Sequence, residues 1–460
     1  MALTATVTAS GDQNLDGVIS GIRWDAATLT YSFPESSSYY ENNYIGSEPQ
    51  KGFAPLSQAQ AFAARKIFAM FAAVADIGFI EVKESESDHA DLRLAGSNIS
   101  APAWAYYPSS SPYGGDAWFR ASAKWLNDMR AGGYGFYVFM HEIGHALGLK
   151  HGHETGPFGP LPLAQDSMEF SIMTYRSYVG ASGTFMENEQ WGYAQSLMMN
   201  DIAALQHMYG ADYTTNSDNT VYRWSPVTGE GFINGVGQGA PGGNRVLTTI
   251  WDGGGRDTYD FSNYRTNLRI DLRPGAWSIL SSTQIAELGY GHPARGNIAN
   301  SLLFEGDLRS LIENAIGGSG NDRLFGNQAN NVLIGGAGAD RLYGFDGMDT
   351  LTGGKGGDVF LFMTRPSRYT NLDRINDFSV KDDTISLENA AFTALGKTGR
   401  ISDQTFWTGV KAHDATDRIV YNKATGALFY DPDGTGSAPQ IQFAVLAKGI
   451  GLTAADFWVT

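Results

Sequence analysis

The chain has 460 residues, with 48 acidic against 32 basic side chains and no cysteine. Its formal net charge of -16 argues against nucleic acid or an anionic membrane surface as partner, and the missing cysteines exclude disulfides and thiolate metal ligands. A chain this long calls for two or more domains, each with its own core.

In chain order, residues 1–28 are polar and read as an N-terminal extension. Within them Met1 to Ser20 holds neither a basic nor an apolar run, so no Sec signal peptide is expected. Leu29, Tyr31 and Phe33 alternate as in a strand with one buried face. Ser57 and Gln60 form a capping box before a helix with apolar residues at Ala63, Ile67, Met70, Phe71 and Val74. The longest apolar run, near 67–75, is about half of a membrane span, so no membrane insertion is expected. Short strands are expected at 79–82, 91–94, 103–107 and 117–119, then helices over 136–149 and 195–209. This is a mixed α/β pattern: a twisted sheet, a backing helix and a helix that carries the chemistry.

That second helix contains His141-Glu142-Ile143-Gly144-His145-Ala146-Leu147-Gly148-Leu149-Lys150-His151, an H-E-x-x-H-x-x-G-x-x-H pattern. Histidines four apart sit on one helix face, one turn apart, and two neutral imidazoles so placed can hold one Zn²⁺. Glu142 falls beside the metal, where its carboxylate can take a proton from water. Gly148 tolerates positive φ and lets the chain turn back, so that His151 becomes a third ligand. Three nitrogens leave a position open for water, as a catalytic zinc site requires. His153 is a nearby decoy, disfavoured by spacing.

Downstream lies Ser171-Ile172-Met173-Thr174-Tyr175. The histidine motif and this turn together resemble the metzincin metalloproteases, and the S-x-M-x-Y form is similar to that of the serralysins and astacins within them. The resemblance implies that Met173 underlies the zinc and that Tyr175 is a further ligand that swings away to stabilise the oxyanion. It also implies that Ala103, Trp104, Ala105 and Tyr106 form the edge strand above the cleft, which an extended peptide joins by backbone pairing. Serralysins usually carry proline after the third histidine. This chain has Gly152 there, which alters the turn and no ligand.

Beyond residue 210 glycine and aspartate rise and long helices stop. From Gly317 a nine-residue unit repeats, with copies at Gly326, Gly335, Gly344 and Gly353. It resembles the G-G-x-G-x-D-x-U-x nonapeptide of RTX proteins. Glycines aim carbonyls at a cation, aspartates supply charge, and Leu324, Leu333, Leu342, Leu351 and Phe360 turn inward. Oxygen-only donors suit Ca²⁺. The expected ligands are Gly318, Gly320, Asp322, Gly335, Ala337, Asp340, Asp349 and Asp358, with Asn331 replacing aspartate in one weaker copy. The serralysin resemblance adds Asn216, Asp218 and Thr220, then Asp252, Gly254, Gly255 and Asp257, then Glu313. Asp377 and Asp383 are expected at the end of the roll. The terminal Asp456-Phe457-Trp458-Val459 resembles the uncleaved signal of type I secretion substrates.

The expectation is therefore a metzincin α/β catalytic domain over 1–210 and an all-β parallel roll with a secretion segment over 211–460. The resemblance implies a secreted, extracellular, monomeric endopeptidase with one catalytic Zn²⁺ and several structural Ca²⁺. Its expected partners are protein or peptide substrates, a proteinaceous inhibitor and the type I secretion machinery. The competing class is a non-catalytic calcium-binding adhesin or surface protein, against which the intact Glu142 and histidines speak. No G-x-S-x-G elbow supports an RTX lipase.

Overall fold

The computed structural model describes residues 2–41, 44–184 and 186–460. At the N-terminus, strands β1 (Thr4–Thr6) and β2 (Ile22–Trp24) pair antiparallel around the single-turn helix α1 (Gln13–Asp16). Residues 1–28 are thus no extension. Val18, Ile19 and Trp24 are fully buried, and this strap is sewn to the chemistry-bearing segment. Ser20 N–H donates to Gly148 O at 3.0 Å, Lys150 N–H to Val18 O at 2.8 Å, and the Trp24 indole to Ala146 O at 2.8 Å. These contacts join residues far apart in sequence, so no local period announces them.

β3 (Thr28–Ser32), α2 (Gln58–Ala72), β4 (Gly78–Glu81), β5 (Leu92–Ser97), β6 (Ala103–Ala105) and β7 (Ala117–Arg120) follow. The strands form one sheet in the order β4-β3-β5-β7-β6. All neighbours are parallel except β6 and β7, so β6 is an antiparallel edge strand. The expected capping box is present at Ser57 and Gln60. Ala63, Ile67 and Phe71 on α2 join the main core with Leu29, Leu92 and Leu94 of the sheet.

Helix α3 (Tyr134–Ala146) has every residue from Gly135 onward buried. It ends earlier than its apolar pattern because Gly148 closes it in a Schellman turn. Gly148 N–H bonds His145 O and Leu149 N–H bonds Gly144 O, with Gly148 at φ 103°. Helix α4 (Met199–Tyr209) starts four residues after the expected 195. Gln195 is already committed to the C-terminal half: its N–H donates to Leu247 O at 2.9 Å and its side chain to Arg245 O at 2.7 Å. Leu247, Trp251, Ala286, Leu288 and Ala294 belong to the same core as α2 and α3.

The C-terminal half winds as a two-sheet parallel roll. Successive repeats alternate between sheets, so Leu333 pairs in register with Leu351, and Leu324 with Leu342. Leu324, Leu333, Leu342, Leu351 and Phe360 are fully buried between the sheets. An antiparallel meander (Ile419–Asn422, Ala427–Tyr430, Ile441–Val445) extends one sheet. The terminal strand Phe457–Val459 pairs parallel with Thr384–Leu387 in the other. No helix among the described residues is long and apolar enough to cross a membrane.

Candidate active site and cation sites

α3 presents His141 and His145 one turn apart, and the Schellman turn brings His151 back to them. The three Nε2 atoms lie 3.0, 3.1 and 3.2 Å from one another. Three nitrogens around one tetrahedral Zn²⁺ are roughly 3.3 Å apart, so the cluster fits that ion. The other ring nitrogens are occupied. His141 Nδ1 faces Ile172 O, His145 Nδ1 faces Leu149 O and His151 Nδ1 faces a Glu154 oxygen, each at 2.7 Å. An N–H donated at Nδ1 leaves each Nε2 lone pair free for metal. Burial, reinforced by His151, pushes His141 down to about 3. Burial and the neighbouring imidazoles also push His145 down, so both are neutral donors near pH 7. His153 stacks on His151 at 5.3 Å between ring centres but lies outside the ligand cluster.

Glu142 is 5 % exposed, and its Oε2 is buried without a partner. Burial alone pushes its carboxyl up to about 8, and the charge of a Zn²⁺ ion held by the histidines would draw it down again toward the range of a base. Beneath the histidines, Met173 is fully buried. A Cβ on Gly144 would stand 2.9 Å from Met173 Sδ, so this helix position must be small. Gly152 N–H donates to Met173 O at 3.1 Å. Proline could not make that bond, so glycine here ties the third-ligand loop to the methionine turn. Tyr175 is 40 % exposed, with its ring centre 4.5 Å from that of His151 and 6.1 Å from that of His141. Burial, then the Glu142 and Glu154 charges, push its hydroxyl up to about 12.

Residues 23–158 match the family described as matrixin, and residues 211–459 match the one described as peptidase M10 serralysin C terminal. Metalloprotease AprA of Pseudomonas entomophila is 34 % identical over 93 % of this chain and 83 % of its own length. The chain belongs to the serralysin family. Serralysin of Photorhabdus luminescens is 35 % identical over 75 % of this chain and 69 % of its own. Serralysin B of Dickeya chrysanthemi is 37 % identical over 65 % and 58 % respectively. This serralysin is a zinc metalloendopeptidase. His141, His145 and His151 match the zinc site and Glu142 the glutamate base.

The aspartates expected to bind cations form a ladder along the roll. Asp322 N–H donates to Asp340 Oδ1 at 2.8 Å, Asp340 N–H to Asp358 Oδ1 at 2.9 Å, and Asp358 N–H to Asp383 Oδ1 at 2.8 Å. On the other side Asn331 N–H donates to Asp349 Oδ1 at 2.8 Å. Asp340, Asp349 and Asp358 each keep a buried Oδ2 with no partner, which is what a cation ligand looks like. Asp322 differs, because Leu268 N–H and Gly318 N–H occupy both of its oxygens. Gly318 and Gly320 sit directly under Gly336 and Gly338. A Cβ on the upper residues would lie 2.3 and 2.1 Å from the lower carbonyl oxygens. Gly318 O also accepts from Ala337 N–H at 3.1 Å, and Gly335 packs on Asp340. Asn331 satisfies itself: its amide donates to Glu313 O at 2.9 Å and to Asn327 Oδ1 at 3.0 Å.

The upstream loops converge too. Thr220 N–H donates to Asp257 Oδ1 at 2.7 Å, Asp257 N–H to Glu313 Oε2 at 2.7 Å, and Gly254 N–H to Asp252 Oδ1 at 2.8 Å. Thr220 Oγ1 donates to the carbonyls of Asp218 and Asn216, while Gly255 packs on Asp218. Asp257 Oδ2 is buried and unpartnered. At the far end, Asp377 is exposed and takes N–H bonds from Gly353 and Gly354.

Three residues around the zinc site had no sequence signal. They are Glu154, on His151; Lys150, whose buried ammonium donates to Gly17 O, Glu154 O and Gly159 O; and Asp201, under the methionine turn. Asp201 and the Lys150–Gly17 bond join segments far apart in sequence, while Glu154 meets His151 within one turn of the loop.

Proposed function

We propose that Glu142 is the general base and acid of peptide hydrolysis and that Tyr175 is the oxyanion donor and a further resting ligand. Zn²⁺ held by the three histidines supplies a Lewis acid that makes water nucleophilic near neutral pH. Glu142 takes the proton of the attacking water and hands it to the leaving amine. The Tyr175 hydroxyl donates to the carbonyl oxygen as charge builds there. The unpartnered, buried Oε2 of Glu142, the residue that follows His141 on α3, together with three converging imidazoles, carries this reading. Glu142→Ala should keep zinc and lose at least about 10²-fold in kcat; near-normal turnover of a casein substrate would refute the role. Tyr175→Phe should lower kcat by about 10²-fold while leaving zinc content unchanged.

Substrate backbone adds to the free edge of β6 and the adjoining Tyr106, a mode of pairing that would tolerate many sequences. Domains spanning 1–210 and 211–460 divide the labour: the first cuts, the second binds Ca²⁺ through the residues at 216–220, 252–257, 313 and 318–383. The buried orphan oxygens of Asp257, Asp340, Asp349 and Asp358 support calcium there. At millimolar extracellular calcium the roll is ordered, since modules of this kind bind at about 10⁻⁴–10⁻³ M. At cytosolic levels repelling carboxylates keep it open. The chain crosses a type I machinery unfolded and becomes an active monomer outside. Phe457 and Val459 are 1 % exposed, so a terminal export signal is readable only before folding. Circular dichroism of the full chain against calcium tests the coupling, and a calcium-independent spectrum would reject it.

A further inference from the structure

Glu48 is 2 % exposed and forms no ion pair among the described residues. Its Oε1 accepts from the Trp104 indole at 3.1 Å and from the Tyr106 hydroxyl at 2.9 Å. Its Oε2 is buried and has no partner. A glutamine would accept from both donors without burying a charge. Stability alone therefore does not account for an acid at this position.

One donor, Trp104, lies in the edge strand, and the other, Tyr106, is the first residue after it. β6 has three residues and one neighbour, β7, on which Trp104 lies opposite Trp118. Ala103 and Ala105 pack on the main core, whereas Trp104 and Tyr106 pack with Tyr40, Tyr44 and Trp118 in a separate cluster. The side chains of this strand are thus fixed from two sides, and its unpaired backbone is left open. The loop bearing Glu48 is itself anchored, because Ser97 Oγ on β5 donates to Glu48 O at 2.8 Å.

We infer that Glu48 is a positioning residue for the protease reaction. Through Trp104 and Tyr106 it holds the backbone of β6 in line for an incoming peptide strand. This rests on the proposal that substrate pairs with β6. A strand of three residues with one neighbour would otherwise twist or fray at its free edge, and substrate would have to straighten it on binding. The charge strengthens both hydrogen bonds, since charge-assisted bonds are about twice as strong as neutral ones.

The test uses the zinc- and calcium-loaded full chain and a long peptide substrate. Analogues of that peptide are N-methylated at one backbone nitrogen at a time on the N-terminal side of the scissile bond. In the wild type, methylation at alternate nitrogens should raise KM. Glu48→Ala should raise KM for the unmethylated peptide about tenfold, leave kcat and zinc content nearly unchanged, and erase most of the methylation effect. Glu48→Gln, which keeps an acceptor for both donors, should recover most of that loss. Should Glu48→Ala fold poorly, the Trp104→Phe/Tyr106→Phe double variant removes both donors and should raise KM likewise. A wild type indifferent to N-methylation sinks the pairing reading, and this inference with it. A methylation-sensitive wild type with unaltered KM in the variants overturns the role of Glu48 alone.

Discussion

Glu154 Oε1 lies 2.7 Å from His151 Nδ1, and the Tyr107 hydroxyl reaches the other oxygen of the same carboxylate at 3.4 Å. His141 and His145 lean instead on the neutral carbonyls of Ile172 and Leu149. The third ligand, delivered by a loop rather than by the helix, is thus the one oriented by a charged group. A carboxylate behind an imidazole fixes its tautomer and raises its basicity.

Glu154→Ala should therefore weaken zinc binding by about 10- to 100-fold, the range seen for such supporting groups. Competition with a chromophoric chelator measures this without reference to activity. Unchanged affinity would show that the Schellman turn alone places His151.

Gly148→Ala should destabilise the chain by about 2 kcal/mol or more. The backbone at φ 103° is unfavourable for alanine, and the new Cβ would stand 2.3 Å from Ile22 O on the N-terminal strap. A shift in the urea midpoint reads the loss. Because the same turn carries His151, zinc affinity should fall with it.

Asp201 on α4 is fully buried, and its carboxylate collects the Ser171 hydroxyl at 2.6 Å and the N–H groups of Ile172 and Met198 at 2.8 and 2.9 Å. Ile172 in turn offers its carbonyl to His141. Asp201→Ala strands three buried donors and should cost about 3 kcal/mol. Denaturant titration tests this, and a stability loss without any weakening of zinc binding would separate the methionine turn from the metal site.

Without calcium the roll should be more stable in mild acid than in mild base. Desolvation pushes Asp252 up to about 6, Asp340 and Asp349 to about 7 and Glu313 to about 7; desolvation together with the Asp252 charge pushes Asp257 to about 8. Folded values above the unfolded ones mean that protons favour the fold. That stabilisation is fully present below about pH 4 and is lost as the pH rises through roughly 6 to 8. Calcium replaces those protons, so its affinity should climb across the same window. Melting curves in a calcium-selective chelator at pH 5 and pH 8 should show a lower Tm at pH 8, or no folded roll there at all, and equal values would contradict the burial of these carboxylates.

Much of the chemistry was legible in the residue order because it is written at short range. The i, i+4 histidines, the glycine that turns the chain back and the nine-residue repeat each depend on a local backbone period. Hence His141, His145 and His151 converge, and Leu324 to Phe360 line the roll, as their spacing implied. The capping box at Ser57 was equally local. What tertiary structure alone decided are the contacts between distant segments. Residues 1–28 looked like a loose extension because their few apolar residues have no period, yet Val18, Ile19 and Trp24 are buried beside α3. The late start of α4, the carboxylate of Asp201 and the indole and phenol gathered on Glu48 have the same origin, whereas Glu154, three residues from His151, is placed by the local course of the loop. A hydrogen bond between residues dozens of positions apart leaves no periodic mark on a sequence, because only the folded chain brings its two halves together.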